Sequence, residues 1–278
     1  MSAKGTRVLG VAGLLIAGGA TLAAEWTQAK SPVTKHHSYL RAAVEHLGDR
    51  VPPPPQGTAV VEADRRVFRS TRALQGSRRW NQAASDADQS TRSLLKDFSC
   101  ASGLELAPES APRLASFLAD AGADGAHIAK RAKSKFRRAR PYVLDPGPTC
   151  RSTRGLGDFH DYPSGHSTRG WTWGLILAEL LPDRRQQLAS RANAYAESRV
   201  VCGFHSPTGA KVGRPVAVLT VNSLMHSPRF RADMQQASRE LVALKRHGQM
   251  PPPRQCAAER LMMNTGSGLS SLTPREAS

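Results

Sequence analysis

The longest helical run in the chain constrains its fold more than any other stretch. Over residues 110–136, apolar side chains recur three and four positions apart, which is typical of a helix with one buried face. The members of this stripe include Leu114, Phe117, Leu118, Ala121 and Ile128. Further helical patterns cover residues 59–74, 86–98, 166–181, 183–201, 217–225 and 229–246. We find no alternating series of strands, and we therefore predict an all-α fold in a single compact multi-helix domain.

The first 24 residues are predicted to be a signal peptide. Lys4 and Arg7 precede a short apolar run that ends in small residues at Ala23 and Ala24. A charged start, a short apolar run and small residues at the end are typical of a secretory signal, here cleaved near Ala24. The run is too short for a convincing transmembrane span, and an uncleaved anchor is the alternative. The mature protein is therefore expected in the periplasm or outside the cell, without a membrane span.

The rest of the chain divides by composition into three parts. Residues 25–56 end in four consecutive prolines and are expected to be extended. The helical patterns place the domain at residues 57–247. Residues 248–278 are rich in proline, glycine and serine, and we expect a loosely ordered tail there.

The charge of the chain indicates an anionic partner. It carries 39 Lys and Arg against 22 Asp and Glu, a formal net charge of +17. A phosphorylated substrate, a nucleic acid and an anionic membrane would all suit this charge. No recognised nucleic-acid-binding module is present, and only 5% of the residues are aromatic, which disfavours base stacking.

The four cysteines indicate disulfides. Their spacing matches no zinc-binding pattern, and an even number in an exported protein allows pairing. We expect Cys100 to pair with Cys150, because both lie in apparent loops, and Cys202 to be buried. Connectivity does not follow from one sequence, so Cys256 is left unassigned.

Two segments carry side chains suited to binding phosphate. In "KSKFRRARP", Lys133 and Arg140 are seven residues apart, so two helical turns would place them on one face. In "YPSGHS", Gly165 permits a tight turn, and Ser164 with nearby backbone N–H groups could face an anion beside His166. The alternatives are a solvated basic helix end and an ordinary turn before a helix.

A third segment, "SRVVCGFH", supplies Arg199 and His205, for which a capping arginine and a surface histidine are the alternatives. The three segments together read K-x6-RP, PSGH and SR-x5-H. In this order they resemble the signature of the type-2 phosphatidic acid phosphatase superfamily, which also contains the vanadium haloperoxidases. Neighbouring stretches such as "VPPPPQ" and "ALQGSRRWNQAASDAD" narrow the resemblance to the bacterial class A non-specific acid phosphatases, over roughly residues 50–245.

The resemblance implies the chemistry of the site. His205 would be the nucleophile that forms a phosphohistidine, and His166 the general acid that protonates the leaving alcohol. The phosphate-binding set would be Lys133, Arg140, Ser164, Gly165 and Arg199. No metal or cofactor would be required, the substrates would be small phosphate monoesters, and a homodimer would be compatible with the family. Phosphoryl transfer needs mainly positioning and charge stabilisation, which three cations around a dianion provide.

The chain departs from the family pattern at Gly209. The resemblance implies an aspartate there, which would accept a hydrogen bond from the far nitrogen of His205. Loss of such a carboxylate is expected to lower activity. Asp158 and Asp161 are the nearest candidates in sequence for a replacement. Pro215 adds a second irregularity, because an interior proline would kink the helix expected there. Just before it, Ser206 as N-cap and Pro207 at the first helical position predict the start of a helix.

Two hypotheses follow. In the first, the protein is an exported acid phosphatase, slowed by Gly209 or supplied with another carboxylate. In the second, it is an inactive relative that still binds phosphate or phosphorylated ligands, and Gly209→Asp would restore turnover. A vanadium haloperoxidase, with His205 as the vanadate ligand, and a membrane lipid phosphatase are less favoured readings.

Overall fold

The structure, a computed structural model, describes residues 36–264 of the chain. Within this range it contains helices and no β-strand, which confirms the predicted all-α fold. The helices are α1 (Val44–Asp49), α2 (Thr58–Thr71), α3 (Arg78–Ser85), α4 (Thr91–Ser102), α5 (Pro112–Phe136), α6 (Pro141–Leu144), α7 (Gly165–Leu180), α8 (Arg185–Val201), α9 (Pro207–Lys211), α10 (Gly213–Met225), α11 (Pro228–Arg246) and α12 (Pro253–Asn264). The predicted signal peptide lies outside the described residues, as does the end of the predicted tail.

α7 lies in the core of the domain, in contact with α5, α8 and α10. Apolar side chains such as Trp173 and Ile176 are almost completely buried along it. α8 approaches closely where α7 has a glycine, because a Cβ at Gly170 would lie 2.3 Å from Cδ1 of Tyr195. A helix packed on several sides has little freedom to move, so the N-terminus of α7 is held in a fixed position.

Two segments expected to be irregular contain helices. α1 lies within residues 25–56, and α12 lies within the tail. α12 is tied to the domain by a disulfide from Cys256 to Cys100 and by an ion pair of 2.8 Å between Glu259 and Arg191. The expectation of a loosely ordered tail is therefore wrong for residues 253–264, because contacts distant in sequence order this segment.

The disulfide prediction is also wrong. The structure pairs Cys100 with Cys256 and Cys150 with Cys202, with Cα–Cα distances of 5.2 and 4.6 Å. Cys202 is buried, as predicted. Cys150 is brought to Cys202 by the path of its loop, where its backbone N–H donates to the Cys202 carbonyl at 3.1 Å. Tertiary proximity therefore decides the pairing.

Pro215 does not kink a helix. Ser206 caps α9 and Pro207 is its first residue, as the sequence predicts. α9 ends at Lys211, and Pro215 is the third residue of the next helix, α10. A first-turn N–H has no acceptor within its helix, so the proline removes no helix hydrogen bond there. Among the helices of residues 36–264, none is long and apolar enough to cross a membrane.

Candidate active site

The three segments predicted to bind phosphate meet at the ends of several helices. Lys133 lies in the last turn of α5, and a Cβ at Gly165 would lie 3.8 Å from its Nζ. Nη1 of Arg140, the residue before α6, is 3.1 Å from Nε2 of His205. Arg199 lies in the last turn of α8, and its carbonyl accepts from the backbone N–H of His205 at 3.2 Å. Residues far apart in sequence thus form one cluster.

His205 is held as a neutral imidazole. Its Nδ1 is 2.6 Å from the backbone carbonyl oxygen of Asp161, so this nitrogen carries the proton and donates it. A guanidinium only donates hydrogen bonds, so Nε2 accepts from Arg140. Burial, with Arg140, Lys133 and Arg199 nearby, holds the pKa of His205 well below its usual value. The result is a lone pair on Nε2 that faces a cationic side chain.

His166 presents the other ring nitrogen. Its Nε2 is 2.6 Å from the backbone carbonyl oxygen of Asp86, and its ring stacks on Tyr195 with centroids 4.6 Å apart. Nδ1 is buried and has no hydrogen-bond partner among the described residues. Burial and the charge of Arg199 hold the pKa of His166 well below its usual value. Both effects favour the neutral form of this histidine.

Lys133 and Arg199 have no ion-pair partner among the described residues. Burial lowers the pKa of Lys133 to about 7, with Arg140 nearby as a second cause, and burial lowers the pKa of Arg199 to about 10. Nε and Nη1 of Arg199 are buried without a hydrogen-bond partner among the described residues. An anion placed between these groups would supply the missing partner and raise their pKa values again.

Arg140 is positioned by the loop around it. It donates to the carbonyl oxygens of Gly157, Leu156 and Phe204 at 2.8, 3.1 and 2.6 Å. A guanidinium with these contacts keeps one orientation, and burial lowers its pKa. It therefore presents a fixed cation beside His205.

The N-terminus of α7 adds backbone donors. Ser164 is the N-cap, and its hydroxyl oxygen accepts from the Ser167 N–H at 3.2 Å. The first N–H groups of a helix lack intrahelical acceptors and attract anions. α7 is 16 residues long, and the half-buried Gly165 is its first residue. The hydroxyl of Ser164 accepts a hydrogen bond as the N-cap of α7 in this structure. The backbone N–H groups of Gly165 and His166 lie in the first turn of α7, where helices attract anions.

A carboxylate occupies the space beside Gly209. A Cβ at Gly209 would lie 2.6 Å from the carbonyl oxygen and 3.0 Å from Oδ1 of Asp161. Oδ1 of Asp161 is also 3.5 Å from Nδ1 of His205. Asp158, the other aspartate that the sequence singled out, is exposed, and its carbonyl accepts from the Arg140 N–H at 2.7 Å. Asp161 is therefore the carboxylate next to His205.

The sequence of this chain is similar to those of known proteins. A family model described as the PAP2 superfamily matches residues 114–233. An acid phosphatase of Zymomonas mobilis is 34% identical over 250 residues, which are 89% of this chain and 93% of that protein. The chain belongs to the acid phosphatases of the PAP2 superfamily. Family membership confirms the resemblance carried by the three motifs and makes the chain a phosphatase.

Two other relatives, both named non-specific acid phosphatases, match a smaller part of the chain. The protein of Providencia stuartii is 31% identical over 207 residues, which are 73% of this chain and 84% of that protein. The protein of Salmonella typhimurium is 33% identical over 193 residues, which are 68% of this chain and 77% of that protein. The likeness therefore extends over most of the domain.

Sequence reasoning missed the groups that hold His166 in this phosphatase. The carboxylate of Asp86 pairs with Arg191 at 2.7 Å and accepts from the hydroxyl of Ser198. Asp97 and Glu259 approach the same guanidinium at 3.4 and 2.8 Å. One signal was available, because Arg191 and Ser198 are seven residues apart in a helical run, the same spacing that placed Lys133 and Arg140 on one face.

Proposed function

We propose that this protein is an exported non-specific acid phosphatase that hydrolyses phosphate monoesters through a phosphohistidine on His205, with His166 as the general acid. One observation carries the proposal. The neutral His205 presents a lone pair on Nε2 3.1 Å from Nη1 of Arg140, at the edge of a cluster of buried cations. A nucleophile of this kind is suited to attack a phosphoryl group that the cations hold.

In the first step, the Nε2 lone pair of His205, released from its hydrogen bond with Arg140, forms a bond to phosphorus as the bond between phosphorus and the leaving oxygen breaks. The leaving oxygen takes a proton from His166. His205 is then a phosphorylated imidazolium, still protonated on Nδ1, and the alcohol departs. The ring then carries a positive charge beside Asp161. Nδ1 of His205 lies 2.6 Å from the carbonyl oxygen of Asp161 and 3.5 Å from its Oδ1.

In the second step, a water molecule attacks the phosphorus and His166 accepts one of its protons. The bond to Nε2 breaks, and the electron pair returns to His205 as the neutral imidazole. Lys133, Arg140 and Arg199 stabilise the charge of the phosphoryl oxygens throughout. No step requires a metal, and activity in the presence of a chelator tests that expectation.

The acid optimum expected of this site follows from the pKa shifts. Burial and neighbouring cations lower the pKa of His166 and so disfavour the protonated form that a general acid needs. A bound dianion would compensate Arg199 and raise the pKa of His166. Substrate and proton would therefore bind together, which is favoured at mildly acidic pH.

Export is supported by two features. The first 24 residues have the pattern of a signal peptide, and all four cysteines pair in disulfides, which persist in oxidising compartments. A homodimer stays a prediction that the family resemblance suggests.

The test is hydrolysis of p-nitrophenyl phosphate from pH 4 to 8 by the wild type and by His205→Ala, with the exposed His226→Ala as a matched control. We expect turnover on the acid side, abolished in His205→Ala and retained in the control. Rapid quenching into alkali, in which phosphohistidine survives, should trap label from ³²P-labelled substrate on the wild type alone. A wild type that binds sulfate at this site but shows no turnover would instead favour the inactive, phosphate-binding relative.

A further inference from the structure

The main departure from the family pattern, Gly209, is matched by a second residue that fills the same place. Gly209 is buried in α9, and Asp161 is fully buried opposite it. A Cβ at Gly209 would lie 2.6 Å from the carbonyl oxygen and 3.0 Å from Oδ1 of Asp161. Real Cβ atoms essentially never approach a backbone atom so closely. The backbone carbonyl of Asp161 therefore leaves no room for a side chain at position 209, and the Asp161 carboxylate lies in tight contact with the same place.

The Asp161 carboxylate is fixed by several donors. Oδ1 accepts from the backbone N–H of Ser206 at 2.7 Å, and Oδ2 accepts from the Ser206 hydroxyl at 2.6 Å. Nη1 of Arg138 is 3.1 Å from Oδ2. Burial raises the pKa of Asp161, and Arg138 and the Ser206 donors oppose this by favouring the charged form. With these partners the carboxylate has one orientation.

A second aspartate supports this arrangement. Asp64 pairs with Nη2 of Arg138 at 2.7 Å, and it accepts from the backbone N–H and the hydroxyl of Thr208 at 3.2 and 3.0 Å. Thr208 immediately precedes Gly209. Asp64 thus ties the guanidinium that holds Asp161 to the helix that lacks a side chain at position 209.

The oriented carboxylate lies where His205 gains positive charge. Nδ1 of His205 donates to the carbonyl oxygen of Asp161, and Oδ1 of the same residue is 3.5 Å away. The carbonyl sets the tautomer of the ring, and the carboxylate adds a negative charge beside it, with both side chains buried. A buried opposite charge at this distance stabilises an imidazolium far more than an exposed one would.

We propose that Asp161 is a positioning residue that replaces the carboxylate absent at position 209, and that it stabilises His205 as the ring is phosphorylated. This inference rests on the proposed function of His205. It implies that the site of this chain is complete, with its carboxylate supplied by the loop before α7 instead of by α9. The inference also reverses the expected effect of Gly209→Asp, because an added carboxylate would collide with Asp161 and repel it.

The test is a double-mutant cycle on kcat for p-nitrophenyl phosphate. Asp161→Asn keeps the backbone carbonyl and removes the negative charge. We expect it to lower kcat by about tenfold or more, because loss of the carboxylate that orients a catalytic histidine has a large effect on the rate. KM and sulfate binding should change little, because Asp161 does not touch the anion site. Asp158→Asn is the matched control on the same loop, and its kcat should equal that of the wild type.

The other corners of the cycle separate this role from a structural one. We expect Gly209→Asp alone to lower kcat, because the added side chain meets the Asp161 carbonyl and its charge repels the Asp161 carboxylate. Asp161→Asn combined with Gly209→Asp removes that repulsion, so its loss in kcat should be smaller than the product of the two single losses. Thermal unfolding and sulfate binding show whether each variant is folded. Wild-type kcat in folded Asp161→Asn, or a gain in kcat from Gly209→Asp alone, would overturn the proposal.

A measurement without turnover keeps the two proposals distinguishable. The Nδ1–H proton of His205, observed by NMR in ¹⁵N-histidine-labelled protein, should shift upfield in Asp161→Asn and stay unchanged in Asp158→Asn. An unchanged resonance in both variants would refute the carboxylate's action on His205 even in a protein without turnover. Normal turnover in His205→Ala would instead refute the proposed function, whatever the resonance shows.

Discussion

The two histidines are held by similar contacts, with one difference. Each ring nitrogen that carries the proton lies 2.6 Å from the backbone carbonyl of a fully buried aspartate, Asp161 for His205 and Asp86 for His166. Each aspartate in turn binds an arginine and a serine hydroxyl. A backbone carbonyl thus fixes the tautomer at both positions, without a carboxylate as the direct acceptor.

The difference lies in where the carboxylate is directed. Oδ1 of Asp161 is 3.5 Å from His205. The Asp86 carboxylate is bound to Arg191 and Ser198, and His166 has an aromatic ring against its face. A nucleophile gains positive charge during the reaction and benefits from a nearby negative charge, whereas a general acid must release its proton, which a carboxylate at its side would retain. The contrast agrees with the opposite roles proposed for the two histidines.

The largest expected effect separates the two roles by leaving group. We expect His166→Ala to lower kcat by about 10²–10⁴-fold for an alkyl phosphate such as glycerol phosphate. The loss should be much smaller for p-nitrophenyl phosphate, because p-nitrophenolate leaves without a proton. The measurement is the ratio of kcat values for the two substrates. His205→Ala should affect both substrates alike, and a leaving-group dependence in that variant would contradict the division of roles.

The anchor of His166 should contribute more to stability than the anchor of His205. Arg191→Met would leave the carboxylates of Asp86, Asp97 and Glu259 buried without their cation, at a cost of about 3–5 kcal/mol in the free energy of unfolding. Arg138→Met should cost less, because the Arg138 side chain is 16% exposed and that of Arg191 only 2%.

Urea denaturation measures both changes. The control is Arg185→Met on the same helix as Arg191, with a side chain that is 65% exposed and an expected change within about 0.5 kcal/mol. Equal losses for Arg138→Met and Arg191→Met would show that the two anchors do not differ.

The two disulfides should act on different histidines. Replacing Cys100 and Cys256 by serine frees α12, which carries Glu259 to Arg191, and should lower stability by about 2–4 kcal/mol. We expect the ratio of alkyl to aryl phosphate turnover to fall as well, since the His166 side is loosened. Replacing Cys150 and Cys202, of which Cys202 lies shortly before His205 in the chain, should lower both rates together. An unchanged ratio in the first variant would show that α12 does not support His166.

The smallest effect concerns pH. Lys133 has a pKa of about 7 in the folded protein, against about 10.4 in an unfolded chain. Between these two pKa values the unfolded state binds more protons than the folded state. The free energy of unfolding of the protein without sulfate should therefore rise with pH. Sulfate keeps its two charges over this range, so its affinity should fall severalfold from pH 6 to pH 8.5 as Lys133 loses its proton.

Thermal shifts with and without sulfate measure this linkage. Lys133→Met should remove most of the pH dependence of the sulfate shift, whereas the exposed Lys130→Met in the same helix should keep it. A sulfate shift in the wild type that does not change with pH would contradict the lowered pKa of Lys133.

Much of the fold was predictable from local patterns. The apolar stripe over residues 110–136 predicted α5, and Ser206 with Pro207 predicted the start of α9. Helical periodicity and capping depend on residues within a few positions of one another, so they are visible in one sequence. The disulfide pairing and α12 were not predictable, because both depend on contacts between segments as far as 156 residues apart.

The sequence by itself determined which chemistry the protein carries. The order and spacing of three motifs identified the family and the residues proposed to bind and transfer phosphate, because such motifs are linear in the chain. Only the tertiary structure decided what becomes of the missing carboxylate. Asp161 and His205 are 44 residues apart, and their contact arises because the loop before α7 and the start of α9 pack against each other where Gly209 leaves room.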